Sequence, residues 1–145
     1  MEELIKLTAA YVAALKAASI IHQLNHWTCK GDSFYGDHLL FERIYDSASD
    51  DIDKAAEKFI GLFGDECVDY KLQTTLLNSL LDKYKDEEPL QKSLNIEQNI
   101  CDFTVQLYSC LEKCKKLTTG LDDTLSSICS NRETSIYLLK QRIKK

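Results

Sequence analysis

The chain holds three histidines, His22, His26 and His38, and all of them fall in its first 40 residues. Imidazole and carboxylate together are suitable ligands for iron in oxygen chemistry, so the acidic residues in helical register with these histidines come next. His38 and Glu42 stand four residues apart, as do Asp53 and Glu57. On a helix, residues four apart lie one above the other, and each pair makes a two-point grip on a cation. The two pairs are fifteen residues apart. On one helix that is about 22 Å along the axis, while fifteen steps of about 100° return them to nearly the same stripe. A single helix therefore cannot bring both pairs to one ion, but a second copy can. If the helix packs antiparallel against its own copy across a two-fold axis near Ser47-Ala48, residues 53 and 57 of one chain fall beside 38 and 42 of the other, giving two identical sites. Ser47, Ala48 and Ser49 are small enough to permit the close approach, and His26, on the adjoining helix, is placed to complete each site.

Positioning these groups requires long, regular helices. Leu4, Leu7, Tyr11, Leu15, Ala18 and Ile21 recur at three- and four-residue intervals and predict a helix over about 2–29, ending near Lys30-Gly31. Leu39, Leu40, Ile44, Ala48, Ile52, Ala55, Ala56 and Phe59 predict a second over about 35–62, with Gly61 and Gly64 marking its end. These two should form an antiparallel hairpin. Leu72, Leu76, Leu77, Leu80 and Leu81 predict a short helix within 65–91 that covers one end or side of the others. A third long helix is expected over about 90–117 and a fourth over about 121–143, after a break at Thr118-Thr119-Gly120. Four long helices with one long connection between the second and third fit a bundle with a single crossover.

Composition sets the same bounds. One proline, five glycines and 44% hydrophobic residues in 145 positions favour an all-α single domain, 1–145, with one core. The six cysteines form no Cys-x-x-Cys pair and read as reduced thiols that pack helices. Cys110 and Cys114 share a helical face and are expected as buried thiols at a helix interface rather than as a soft-metal site. No apolar run reads as a membrane span, and Met1-Glu2-Glu3 lacks the basic flank of a signal peptide, so a cytoplasmic location is expected.

The segment His26-Trp27, Gly31, Phe34, His38, Phe41-Glu42, Tyr45, Asp53 and Ala56-Glu57 resembles the signature of the Dps family, the mini-ferritins of the ferritin-like superfamily. That pattern is a histidine, a second twelve residues on, an acid four later, Asp eleven later and Glu four later; His26, His38, Glu42, Asp53 and Glu57 match it. Asp122-Asp123, Leu125, Arg132-Glu133 and Tyr137-Leu138-Leu139 resemble the family's last helix. The resemblance implies a ferritin-like four-helix bundle with a short extra helix between helices two and three, assembled as a homo-oligomeric, twelve-subunit cage. It also implies a ferroxidase centre at a two-fold interface, where His26, His38 and Glu42 of one subunit join Asp53 and Glu57 of its neighbour to bind Fe(II). Oxidation by hydrogen peroxide, or by oxygen, then leads to ferric mineral in the cavity and protection from oxidative damage. One position departs: the first acid is more usually Asp, and Glu42 is one methylene longer, which bears on metal spacing.

Other readings attach to the same residues. A bundle with an intrasubunit di-iron centre would carry Glu-x-x-His motifs, and the sequence has none. An iron-free structural or DNA-organising shell, or a helical adaptor, would use the fold without the ligands. His22, one turn before His26, reads as a packing or surface histidine; Trp27 reads as core by type, although the resemblance places it near the iron. Asp46, Asp50 and Asp51 read as a solvated face. Asp122 and Asp123 suit a helix N-terminus, and the resemblance sets a comparable region at three-fold pores. DNA binding is not favoured, because the chain opens with Glu2 and Glu3 and carries a formal charge of −5, which repels phosphate. Lys140, Arg142, Lys144 and Lys145 are better read as cations at a helix C-terminus.

Overall fold

The computed structural model describes residues 1–144. Five helices follow one another: α1 (Glu2–Thr28), α2 (Phe34–Phe63), α3 (Tyr70–Tyr84), α4 (Pro89–Lys113) and α5 (Thr119–Ile143), with one 3-10 turn at Asp65–Val68 between α2 and α3. No strand occurs among the described residues, so the class is all-α. α1 packs on α2 and α4, and α5 packs on the same two helices, which closes a four-helix bundle. α3 lies against α1, where Lys16 donates to Gln73 at 2.7 Å, and the 3-10 turn before it also packs on α1, with Thr8 donating to the Cys67 carbonyl at 3.1 Å.

The core follows from periodicity. Tyr11, Leu15 and Ala18 of α1 meet Phe59 of α2, Ile96, Ile100, Leu107 and Leu111 of α4, and Leu125 and Ile128 of α5. Tyr11 stacks edge-on to Phe59 and Phe103, with centroids 6.1 and 5.4 Å away, the offset geometry that aromatic quadrupoles favour. A smaller cluster of Phe41, Ile44, Leu94 and Leu139 packs beneath the first half of α2. α1 corrects one expectation: it does hold an 18-residue stretch long and apolar enough to pass for a membrane span, and most of that stretch is buried in the fold. The cause is its central position, which buries Ala9, Val12, Ala13, Ala14 and Ala17 as well as the expected stripe.

Helix ends show where local chemistry overrides the pattern. α2 runs through Gly61 and stops at Gly64, whose φ of +99° suits glycine and whose N–H reaches the Ile60 carbonyl at 2.9 Å. α4 starts on Pro89, as a missing N–H allows. It ends at Lys113, short of the expected 117: Lys115 turns left-handed at φ +59°, and Lys116 N–H closes on Leu111 O at 2.9 Å. Gly120 does not break the chain; it lies in the first turn of α5, capped by Thr118, whose hydroxyl accepts from Leu121 N–H at 3.0 Å.

Candidate metal centre

The C-terminal end of α1 and the first turns of α2 meet where the chain turns between them, and His26 and His38 face each other across that junction. Their rings stack 3.7 Å apart at 20°. His26 Nδ1 donates to the His38 carbonyl at 2.7 Å, and His38 Nδ1 donates to the His26 carbonyl at 2.8 Å. A carbonyl can only accept, so Nδ1 carries a proton in both rings, and the neutral form of each ring has its lone pair on Nε2. That is the tautomer a metal-ligating imidazole needs, with backbone oxygens in the supporting role that fixes ring orientation. Phe34 stacks on His38 at 5.1 Å, and Tyr45 stands edge-on to His26 at 5.4 Å, holding the pair from both sides.

Two further contacts set this corner. Arg142, at the end of α5, donates to both carboxylate oxygens of Asp37, from Nε at 2.7 Å and Nη2 at 3.1 Å. This fork fixes the first turn of α2, one residue before His38, and the carboxylate holds the guanidinium above its ordinary pKa. Arg142 is thereby taken from the basic group at the C-terminus; Lys145 lies outside the described residues. Neither partner was singled out as part of a site, and no spacing rule links residues 37 and 142.

The remaining candidates follow α2 outward. Glu42 is half-buried one turn beyond His38; Asp53 and Glu57 are exposed further along the helix. Glu57 opens on a groove of 530 Å³ that Lys54, Lys58 and Thr124 also line. Among the described residues, no three His, Cys, Asp or Glu side chains converge closely enough to hold a metal ion. One chain thus brings His26 and His38 together and leaves Asp53 and Glu57 apart from them.

Several neighbours stand elsewhere than expected. Ala48 is fully buried in the chain's own core, and Ser47 is half-buried and accepts a hydrogen bond from Arg132. Of the three small residues, only Ser49 faces outward, bonded to Ser19 of α1 at 2.9 Å. The reason is phase: residues 42, 46, 49, 53 and 57 follow one outward stripe, whereas 44, 48, 51 and 55 face in. Asp51 is accordingly not on a solvated face; it is fully buried beside Arg132, with Asn131 donating to it at 3.1 Å. Asp46 and Asp50 are exposed as expected. Trp27 is not core within the chain but 65% exposed, and with Ile20 and Leu24 it makes an apolar stripe on the outer side of α1. That stripe recurs at i, i+4 and i+7, out of phase with the buried one, and was readable as a second apolar face.

His22 is a packed histidine, fully buried between Ser93 and Glu97. The six cysteines are free thiols. Cys114 is not buried: it caps α4 and is exposed, while Cys110 is half-buried. Cys101 lies beside Cys129, and burial, then that neighbour, push its thiol up to about 12.

No family model matches the sequence, and no curated protein matches it. Among solved structures, the X-ray structure of Dps from Thermosynechococcus elongatus superposes with a TM-score of 0.82 over 99% of this chain and 92% of that one, at 16% sequence identity. The fold is therefore the ferritin-like four-helix bundle with an extra short helix after its second helix, as that Dps has it.

Proposed function

We propose that this chain is a subunit of a Dps-type mini-ferritin: a ferroxidase that binds Fe(II) as substrate, oxidises it with hydrogen peroxide or oxygen, and stores the ferric product in a homo-oligomeric cage of twelve subunits. The observation that carries this reading is the reciprocal bonding of His26 and His38, which commits both rings to the ligating tautomer on an outer face of the bundle. Glu42 adds a carboxylate on the same stripe. Asp53 and Glu57 complete each site from the neighbouring subunit, since residues 38 and 57, and residues 42 and 53, share a midpoint between positions 47 and 48.

The surface around that midpoint supports pairing. Ile20, Leu24 and Trp27 form an exposed apolar stripe on α1, an area for a second copy to cover. Beside it, Asp46, Ser49 and Asp53 make the outward stripe of α2 acidic. Two such faces repel unless cations stand between them, and Fe(II) at the two sites supplies that charge. The protein's role in the reaction is to hold metal near an oxidant: two Fe(II) give two electrons, and one peroxide takes them with two protons to become two waters.

The test is oxidation of anaerobically loaded Fe(II) on adding peroxide, followed by ferric absorbance, in the parent and in His38→Ala and Glu57→Ala chains. Fast oxidation in the parent that is lost in both variants is the expected result. Equal rates in all three would remove the ferroxidase and leave an iron-free structural shell.

A further inference from the structure

Four helices of the bundle each send one ionisable side chain to the same place in the core: His22 from α1, Asp51 from α2, Glu97 from α4 and Arg132 from α5, none with any solvent exposure. Arg132 stands between the two carboxylates, with Nη2 3.6 Å from Asp51 Oδ2 and Nε 3.4 Å from Glu97 Oε2. Both separations exceed a good hydrogen bond, and Glu97 Oε2, Arg132 Nε and Arg132 Nη1 have no hydrogen-bond partner. The guanidinium therefore serves the two carboxylates more by its charge than by the fork geometry that arginine usually supplies.

The surrounding contacts hold the imidazole in place. His22 Nδ1 lies 2.8 Å from Ser93 Oγ, and Asn25 Nδ2 donates to the same oxygen at 2.8 Å. Nε2 faces Glu97 Oε1 3.1 Å away, so both ring nitrogens of His22 are engaged inside the bundle. Two carboxylates thus share one guanidinium, with the imidazole beside Glu97. Without the guanidinium the two carboxylates, on facing helices and with an imidazole beside one of them, would lose the cation between them. With Arg132 between them these groups do not converge on one point, but the donor set is one that suits a divalent metal, and helix bundles build metal sites from facing helices in this way.

We infer that Arg132 is a specificity-determining residue: its guanidinium is a built-in cation seated where a divalent metal would otherwise bind inside the bundle, so that metal is confined to the outer face of α1 and α2. The seat itself stands without the interface reading; the confinement rests on it. Both imidazoles outside keep Nε2 open, whereas both nitrogens of His22 are engaged. The fold thus presents histidine to metal on one surface only.

The experiment places Arg132→Ala in a chain that also carries His26→Ala and His38→Ala, removing the outer imidazoles from the count. Co(II) uptake is read from its visible absorption and by calorimetry, and thermal midpoints are compared with and without Zn(II). The expected result is about one Co(II) gained per chain and a midpoint raised by Zn(II), both lost on adding Asp51→Asn and Glu97→Gln. A folded Arg132→Ala chain that takes up no more Co(II) than its Arg132-bearing parent overturns the inference. If the variant is unfolded without metal, recovery of helix in Zn(II) that needs Asp51 and Glu97 supports the inference, and a chain that stays unfolded in Zn(II) overturns it. None of these outcomes alters the peroxide assay on the parent, so the two readings fail separately.

Discussion

On the outer face of α1 and α2, His26 and His38 each satisfy one ring nitrogen with a backbone carbonyl and leave the other open. At the centre of the bundle, His22 has one nitrogen on Ser93 and the other on Glu97, and Arg132 fills the space between Glu97 and Asp51. Both regions combine imidazole with carboxylates. The outer one is an incomplete ligand set that a second copy can finish, and the inner one already holds its cation. On the proposed reading, residue type alone does not set where metal binds; what matters is whether the chain itself has spent the donor atoms.

Removing the inner cation should have the largest effect. Arg132→Met leaves two buried carboxylates without a counter-charge and should cost about 3–5 kcal/mol of stability in metal-free buffer, read by thermal or urea denaturation; adding Asp51→Asn and Glu97→Gln should recover much of it. An unchanged midpoint in the single variant would show that the tetrad is not held by charge. Leu24→Glu acts on the outer region, placing a carboxylate on the apolar stripe beside an already acidic face. Assembly should weaken by at least tenfold in subunit concentration, with loss of the cage in sedimentation and little change in helix content.

Smaller effects sharpen the contrast. Arg142→Ala frees Asp37 and loosens the turn that carries His38 without touching any ligand. Ferroxidation should fall about tenfold, in the range found for groups that orient ligands, while Arg142→Lys, which keeps charge but not the fork, should restore only part of it. Smallest is the difference among thiols. Cys114, exposed at the end of α4, should react with iodoacetamide first, whereas Cys101, pushed up to about 12 by burial and by Cys129, stays a neutral thiol at pH 8 and should react far more slowly than Cys114. The labelling rate of Cys101 should climb as pH rises toward that value, followed peptide by peptide in a mass spectrometer.

Much of this was legible in the sequence because long helices repeat their buried positions every three or four residues; the order of the helices, the extent of α1, α2 and α5, and the presence of a short α3 follow from leucine and alanine spacing. The end of α4 was not legible, since Lys115 adopts a left-handed turn with no glycine to announce it. Spacing also shows that His38 and Glu42 cannot share an ion with Asp53 and Glu57 of the same chain. The same spacing sets Ala48 on the apolar stripe with Ile44 and Ala55, where it is buried, and its small size alone suggested the second role at a two-fold contact. The buried tetrad was not legible. Asp51 sits beside Asp50 in a charge-rich stretch that reads as surface, and only packing against Arg132, 81 positions away, makes it interior. His22 carried no pattern that separated packing from ligation until Ser93 and Glu97 were placed around it.

The claim most exposed to test is that each iron site is built from two chains. His38→Ala and Glu57→Ala subunits, each inactive in ferroxidation alone, are unfolded together, refolded as a mixture and assayed with Fe(II) and peroxide. In a mixed pair, one of the two sites takes His38 from the Glu57→Ala chain and Glu57 from the His38→Ala chain and is whole, while the other carries both lesions. Random pairing then predicts recovery of about a quarter of the parent rate. Activity that stays at the level of the separate variants, in a mixture shown to contain mixed pairs, would contradict a shared site.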